Sequence, residues 1–329
     1  MDKKSRNILR YVFWGLVAVL LVWLCLRAVD WTAFGEALRQ CRWGWVLLSM
    51  LIGALVFFIR AVRWKMQLTP LDPSASLVTS FNAYNIGTAA NLVLPRLGEL
   101  VRCGYIVKNT AIGLDKSLGT VVVDRLWDAL SLLVAGVILV LVFWTHFGGF
   151  IVDNYFGAIV TSRSLWLILG AAVLVVSALL FLLWKMRGKG GFWGKAWGFV
   201  KGIWEGLLSV FRMRRGYLFI VYTVLIWVGY WLMSYCIILA LQDMEAYAAL
   251  GPVDALFLMF AGTISTLIPV PGGFGAYHTV VAGAMSSVWG IPFATGMVFA
   301  ILSHESQVIV QALLGIGSYV HESFFRRRK

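Results

Sequence analysis

NLVLPRLGELVR, Asn91 to Arg102, packs a proline, a glycine and three charges into the eight positions from Pro95 to Arg102. The chain around it is among the most apolar that a sequence can offer. Of 329 residues, 60% are hydrophobic and 13% charged, with a mean hydropathy of +0.84. Soluble domains carry about 25% charged residues, so the chain reads as an integral membrane protein, and no segment is long and polar enough to form a separate soluble domain.

A net charge of +13 could point to nucleic acid, but sixteen Trp and the apolar runs make a membrane surface the better partner. The distribution of the basic residues gives the orientation. No Lys or Arg occurs from Tyr217 to Phe325, whereas Lys185 to Arg215 holds eight and the tail RRRK four. By the positive-inside rule those two clusters face the cytoplasm. Cys25, Cys41, Cys103 and Cys236 form no metal or redox spacing and read as unpaired apolar residues. The run 8–26 is too long for a signal-peptide core and lacks a small-residue cleavage site, so it reads as a retained first span.

A helical span takes about 20 apolar residues. Six segments qualify: 8–27, 45–64, 117–144, 164–185, 217–241 and 293–320. Starting inside at Lys3, Lys4 and Arg6, six crossings return the C-terminus to the cytoplasm. The loop with Arg60, Arg63 and Lys65 is then expected inside, LQDMEAYAALGP outside, and Arg39 and Arg42 fit poorly in the first outer loop. Two further apolar segments, 76–110 and 253–289, are interrupted in the middle by Pro and Gly. With both flanks on one face, each is expected to be a re-entrant helical hairpin, covered by protein or water.

The two interruptions match each other. NLVLPRLGE (Asn91 to Glu99) and STLIPVPGG (Ser265 to Gly273) share a small polar residue, an apolar run, Pro, two residues and Gly. The first hairpin enters from inside and the second from outside. The expected fold class is therefore an all-α polytopic bundle of about six transmembrane helices plus two re-entrant hairpins in an inverted repeat, with halves 45–144 and 217–320. Broken helices at matching places in inverted halves point to a transporter's substrate site. Between the halves, 186–216 alternates polar residues with Trp193, Trp197, Trp204 and Phe211 at helical spacing, which predicts an amphipathic helix on the inner leaflet.

Facing lipid, Arg96, Glu99 and Arg102 would cost roughly 2.5–3.5 kcal/mol each, so the stretch must turn inward. Spaced at three residues, they fall on one helical face, with Glu99 between two guanidinium groups and in the first turn of the returning helix. Such a cluster is either a structural brace or a site where Arg96 and Arg102 grip a phosphate while Glu99 orients them or pairs with an amine. Asn91, which opens the break, joins the candidates. So do Asp124, with Asp128 on its face and Arg125 beside it, and His304 with Glu305 in the last span. Asp124 and Glu305 hold similar places in the two halves, so a proton relay or pairing with Arg125 or another interior group would each fit. In the second break Gly272, Gly273 and Gly275 allow close backbone approach, and His278 is expected at the outer interface.

NxxLPRxGE with its following Arg, FIRAVRW (Phe58 to Trp64), VVVDR (Val121 to Arg125) and STLIPVPGGFGAYH together resemble the transmembrane region of lysylphosphatidylglycerol synthases and the stand-alone flippase-like proteins related to it. The resemblance runs over about residues 10 to 320. It implies movement of a lipid headgroup between leaflets, and, with the chain ending at Lys329, the translocating region without the synthase. It carries over Arg96, Glu99, Arg102, Asp124 and Arg125 first. The expected partners are anionic or aminoacylated phospholipids or glycolipids and a separate lipid-modifying enzyme, in the inner cell membrane with both termini cytoplasmic. Neither enzymatic chemistry, a metal nor a cofactor is expected, and there is no Walker A sequence. A membrane scaffold presenting lipid to an enzyme, or an intramembrane transferase using His304 and Glu305, are the competing readings.

Overall fold

The computed structural model describes residues 31–94, 96–151, 210–213 and 215–326, with Leu174, Lys185 and Trp197 singly. The expected spans 8–27 and 164–185 and nearly all of the 186–216 helix lie outside the described residues. Among those described there is no strand. The helices are α1 (Trp31–Gln40), α2 (Trp43–Leu68), α3 (Leu77–Val93), α4 (Leu97–Asn109), α5 (Leu114–Ile151), α6 (Gly216–Leu241), α7 (Pro252–Ser265), α8 (Ala276–Trp289) and α9 (Phe293–His321). The chain divides into two units, one of Met1–Asp124 with Tyr217–Lys329 and one of Arg125–Gly216. In the second, the Trp127 and Phe211 rings lie 5.9 Å apart.

Three helices among the described residues are long and apolar enough to cross a bilayer: Trp43–Leu68, Gly216–Leu241 and Phe293–Phe324. Their faces follow helical spacing. On α2, Leu47, Leu51, Leu55 and Phe58 are exposed, while Val46, Ser49, Gly53, Val56, Arg60 and Arg63 are buried. An apolar stripe left outward is what a lipid solvent permits. The core that joins these helices is Ile237, Leu241, Tyr247, Leu258, Val281, Met285, Val298 and Phe299.

One expectation fails here. Arg60, Arg63 and Lys65 are not in a loop, because α2 runs on through Leu68, with Arg60 and Arg63 buried. Arg42 is paired with Asp243 in the turn after α6, and its backbone N–H donates to the Ala240 carbonyl at 2.9 Å.

The two interrupted segments each fold as a pair of short helices. At about 1.5 Å per residue, α3 and α4 are roughly 26 and 20 Å long and α7 and α8 roughly 21 Å, short of a hydrocarbon core of about 30 Å. Each pair packs against itself and against α9 or its neighbour. In the first pair the close approach is built from glycines. A Cβ on Gly98 would sit 2.1 Å from the Gly87 carbonyl oxygen, and one on Gly87 would sit 2.9 Å from Arg102 Cβ. Small residues bring helix backbones together where no hydrophobic force drives them. Ser76 caps α3 by accepting the Thr79 N–H at 3.0 Å. Beyond the open end of this pair, Asp72 accepts N–H groups from Ser74 and Ala111, each at 2.9 Å, and ties the two flanking loops.

Candidate functional site

One helix ends at Val93 and the next begins at Leu97, and a helix start leaves backbone N–H groups without intrahelical partners. Asn91 answers one of them, its Oδ1 accepting the Gly98 N–H at 2.7 Å. Arg96 occupies the break itself with φ 64°, the one non-glycine positive φ among the described residues. Its side chain is exposed and caps nothing. The expected single face of Arg96, Glu99 and Arg102 is thus corrected: a left-handed residue ahead of the first turn lies off the helix. Glu99 does stand in the first turn of α4, half-buried.

The carboxylate that lies between two guanidinium groups is Asp124. Arg63 Nη2 donates to its Oδ1 at 2.7 Å and Arg102 Nη2 to its Oδ2 at 3.3 Å. Arg63, Arg102 and Asp124 are 0%, 3% and 1% exposed, so the triad holds two positive charges against one negative under protein cover. Arg63 Nη1 also donates to Thr223 Oγ1 at 3.2 Å. Aromatic faces cover the guanidinium groups: Trp64 lies 4.4 Å and Tyr84 5.6 Å from the Arg102 carbon, and Phe219 lies 5.3 Å from that of Arg63. Arg125, by contrast, is exposed, with Asp128 at 3.8 Å.

Sequence reading missed Arg63 and Trp64 as site residues, although FIRAVRW had been singled out. The available signal was two arginines three apart at the end of an apolar helix, followed by Trp. Trp64 is itself held, its Nε1 donating to Thr120 Oγ1 at 3.0 Å.

The second break, between α7 and α8, gathers a different set. Gly272, Gly273 and Gly275 all take positive φ (59°, 78° and 80°), which favours glycine. A Cβ on Gly272 would lie 3.4 Å from Leu92 Cδ2, so the second break adjoins the residue after Asn91 in the first. His304 and Glu305 reach it from α9. His304 Nε2 lies 2.9 Å from the Gly272 carbonyl, and His304 Nδ1 and His278 Nε2 lie 3.1 and 3.2 Å from Glu305 Oε1. His278 is buried at the start of α8, where its Nδ1 takes the Gly275 N–H at 3.3 Å.

The ligand atoms of His278, His304 and Glu305 lie within 4.8 Å of one another. The spacing would suit a metal, but the protons do not. With Nδ1 of His278 accepting from the backbone, its Nε2 carries the proton and has no lone pair for an ion.

Comparison with curated proteins and with solved structures returns no match. The family model described as "Lysylphosphatidylglycerol synthase TM region" matches residues 11–315, nearly the whole chain, including both breaks and all three members of the buried triad. The chain belongs to the lysylphosphatidylglycerol synthase TM region family.

Proposed function

We propose that the chain is a lipid translocator of flippase type, which moves an anionic or aminoacylated phospholipid or a glycolipid headgroup between leaflets. Family membership ties the chain to membrane lipids, and the finer reading rests on the site. In this reading the two short helix pairs are re-entrant hairpins of inverted halves, 45–144 and 217–320. The headgroup passes their adjoining breaks while its tails stay in the bilayer. The chain does no covalent chemistry of its own, and it sits in the inner cell membrane with both termini cytoplasmic.

The observation that carries the reading is the buried Arg63–Asp124–Arg102 triad. A buried charge without compensation is costly. Here the triad alone leaves one positive charge, and Arg102 stands on α4, the helix whose start favours anions. Arg96, exposed at the break, meets a phosphate first. Glu99 then orients the guanidinium groups or pairs with an amine on the lipid.

The test is leaflet exchange in proteoliposomes. Reporter-labelled anionic, zwitterionic and aminoacylated lipids are scored for access to an impermeant quencher. Exchange is expected to be selective for headgroup and to fall roughly ten- to a hundredfold in Arg96→Ala and Glu99→Gln, the equivalent of one charged hydrogen bond of about 1.5–3 kcal/mol, with folding intact. Exchange no faster than in protein-free vesicles for every lipid, with or without a proton gradient, would replace the translocator with a scaffold that presents lipid to an enzyme.

A further inference from the structure

The hydrogen bonds of the second break fix where protons sit. At the start of α8, His278 Nδ1 accepts from Gly275, so the neutral ring carries its proton on Nε2 and donates it to Glu305 Oε1. His304 is the reverse case. Its Nε2 faces the Gly272 carbonyl, which can only accept, so Nε2 is protonated. Its Nδ1 then faces the same Glu305 oxygen at 3.1 Å. A neutral ring offers a lone pair there, and a carboxylate offers another. Two lone pairs at that distance repel, so one further proton must lie between them.

That proton has two homes. On Nδ1 it makes imidazolium and carboxylate; on Oε1 it makes neutral imidazole and carboxylic acid. Low polarity disfavours the separated charges, while the Nε2–H of His278 favours the carboxylate. When the proton leaves to water, an anionic Glu305 faces the lone pair of His304, and the contact must open. The opening is transmitted, because the other nitrogen of His304 holds the Gly272 carbonyl and Gly272 adjoins Leu92 of the first break.

We propose that His304 and Glu305, with His278 as the fixed donor, form a proton-binding site that couples the two breaks to the proton gradient. The existence of the site stands on this geometry alone; its role in driving lipid movement rests on the translocator reading.

Among the described residues the surroundings supply no competing acid or base. From α8, Tyr277 stacks 5.1 Å from the His304 ring and its hydroxyl bonds Ser303 Oγ at 2.9 Å. From the break, Phe274 lies 5.2 Å from the ring of His304. Helix α3, packed on α9 and on the Pro271–Gly273 turn, carries no charged residue and one phenol, Tyr84. Helix α2 meets α9 through Ser49 and Gly53 at Gln307. Asp254 of α7 is taken by Gly251 N–H and Trp289 Nε1, and Glu36 and Arg39 of α1 are exposed. At the far end of α9, His321 bonds Asn82 and Glu322 bonds Tyr105.

Infrared titration of the full chain in lipid nanodiscs reads the site directly. The expected result is a carboxylic-acid band that titrates together with one histidine ring and is absent from Glu305→Gln. In His304→Gln the band loses its histidine-linked step. With carbon-13 in its glutamates, the unaltered protein gives the same reading should a variant not fold. A titration unchanged in both variants would overturn the site, as would stoichiometric zinc binding that Glu305→Gln abolishes. The coupling is read in proteoliposomes with an internal pH dye. Protons moving in step with lipid, and not in Glu305→Gln, support it. Lipid exchange indifferent to pH on either side would overturn the coupling and leave translocation standing. A titrating pair in a protein that exchanges no lipid would do the opposite.

Discussion

The two helix breaks place ionisable groups in the same part of the fold but give them opposite character. At the first, guanidinium groups from α2 and α4 converge on Asp124 of α5, almost wholly buried. Guanidinium groups do not titrate in a protein, so this charge is permanent. At the second, imidazoles from α8 and α9 meet a half-exposed carboxylate, groups whose charge is not fixed as a guanidinium's is. A permanent charge suits holding a phosphate, and a titratable one suits changing state. The first site is a lasting attraction, the second a variable one.

Neutralising each carboxylate separates the two sharply. Asp124→Asn leaves two buried guanidinium groups without their shared counter-charge, and the loss should be about 3–5 kcal/mol, seen as a large drop in Tm in detergent or a failure to fold. Glu305→Gln, half-exposed and flanked by imidazoles rather than two buried guanidinium groups, should cost much less. Equal losses would erase the distinction. The glycines sharpen it next. Gly98→Ala drives a methyl into the Gly87 carbonyl and should cost about 1–3 kcal/mol or more. Gly273→Ala meets only His304 Nε2 at 3.3 Å, and its cost is left-handed strain of roughly 1–2 kcal/mol. A ranking of Tm values with Gly273→Ala the worse would contradict the tight packing assigned to the first pair.

The smallest effect lies outside both breaks. Hydrogen bonds from Ser74 and then the Ala111 N–H hold the Asp72 carboxyl below its usual range. A lowered folded pKa means stabilisation that is present above the unfolded carboxylate range and lost as pH falls through the folded value. The Tm of Asp72→Asn should therefore sit slightly below that of the unaltered chain at neutral pH and merge with it in acid. A gap that widens in acid would reverse the assignment.

Both breaks were legible from Pro and Gly punctuating apolar runs, and the helix bounds Leu77–Val93, Leu97–Asn109, Pro252–Ser265 and Ala276–Trp289 match the expected segments 76–110 and 253–289 to within one residue. What local spacing could not carry was pairing. Three residues apart, Arg96, Glu99 and Arg102 look like one face; the left-handed turn at Arg96 breaks it, and Arg102 finds Asp124 across the bundle. Arg63 was hidden by the same limit, since a basic residue near a helix end reads as a loop anchor until another helix brings a carboxylate to it. His278 was read from its neighbours along the chain, whereas its partner Glu305 is on another helix.

The central claim is that the two breaks line one path for one headgroup, and thiol labelling tests it most directly. Arg96→Cys and Thr266→Cys, each at an exposed position of its break, are made with Cys25 changed to Ser and the buried Cys41, Cys103 and Cys236 left in place. In proteoliposomes an impermeant maleimide should reach both positions, and a lipid that the protein exchanges should slow labelling at both. Labelling of one position only, or protection at one break without the other, would contradict the shared path.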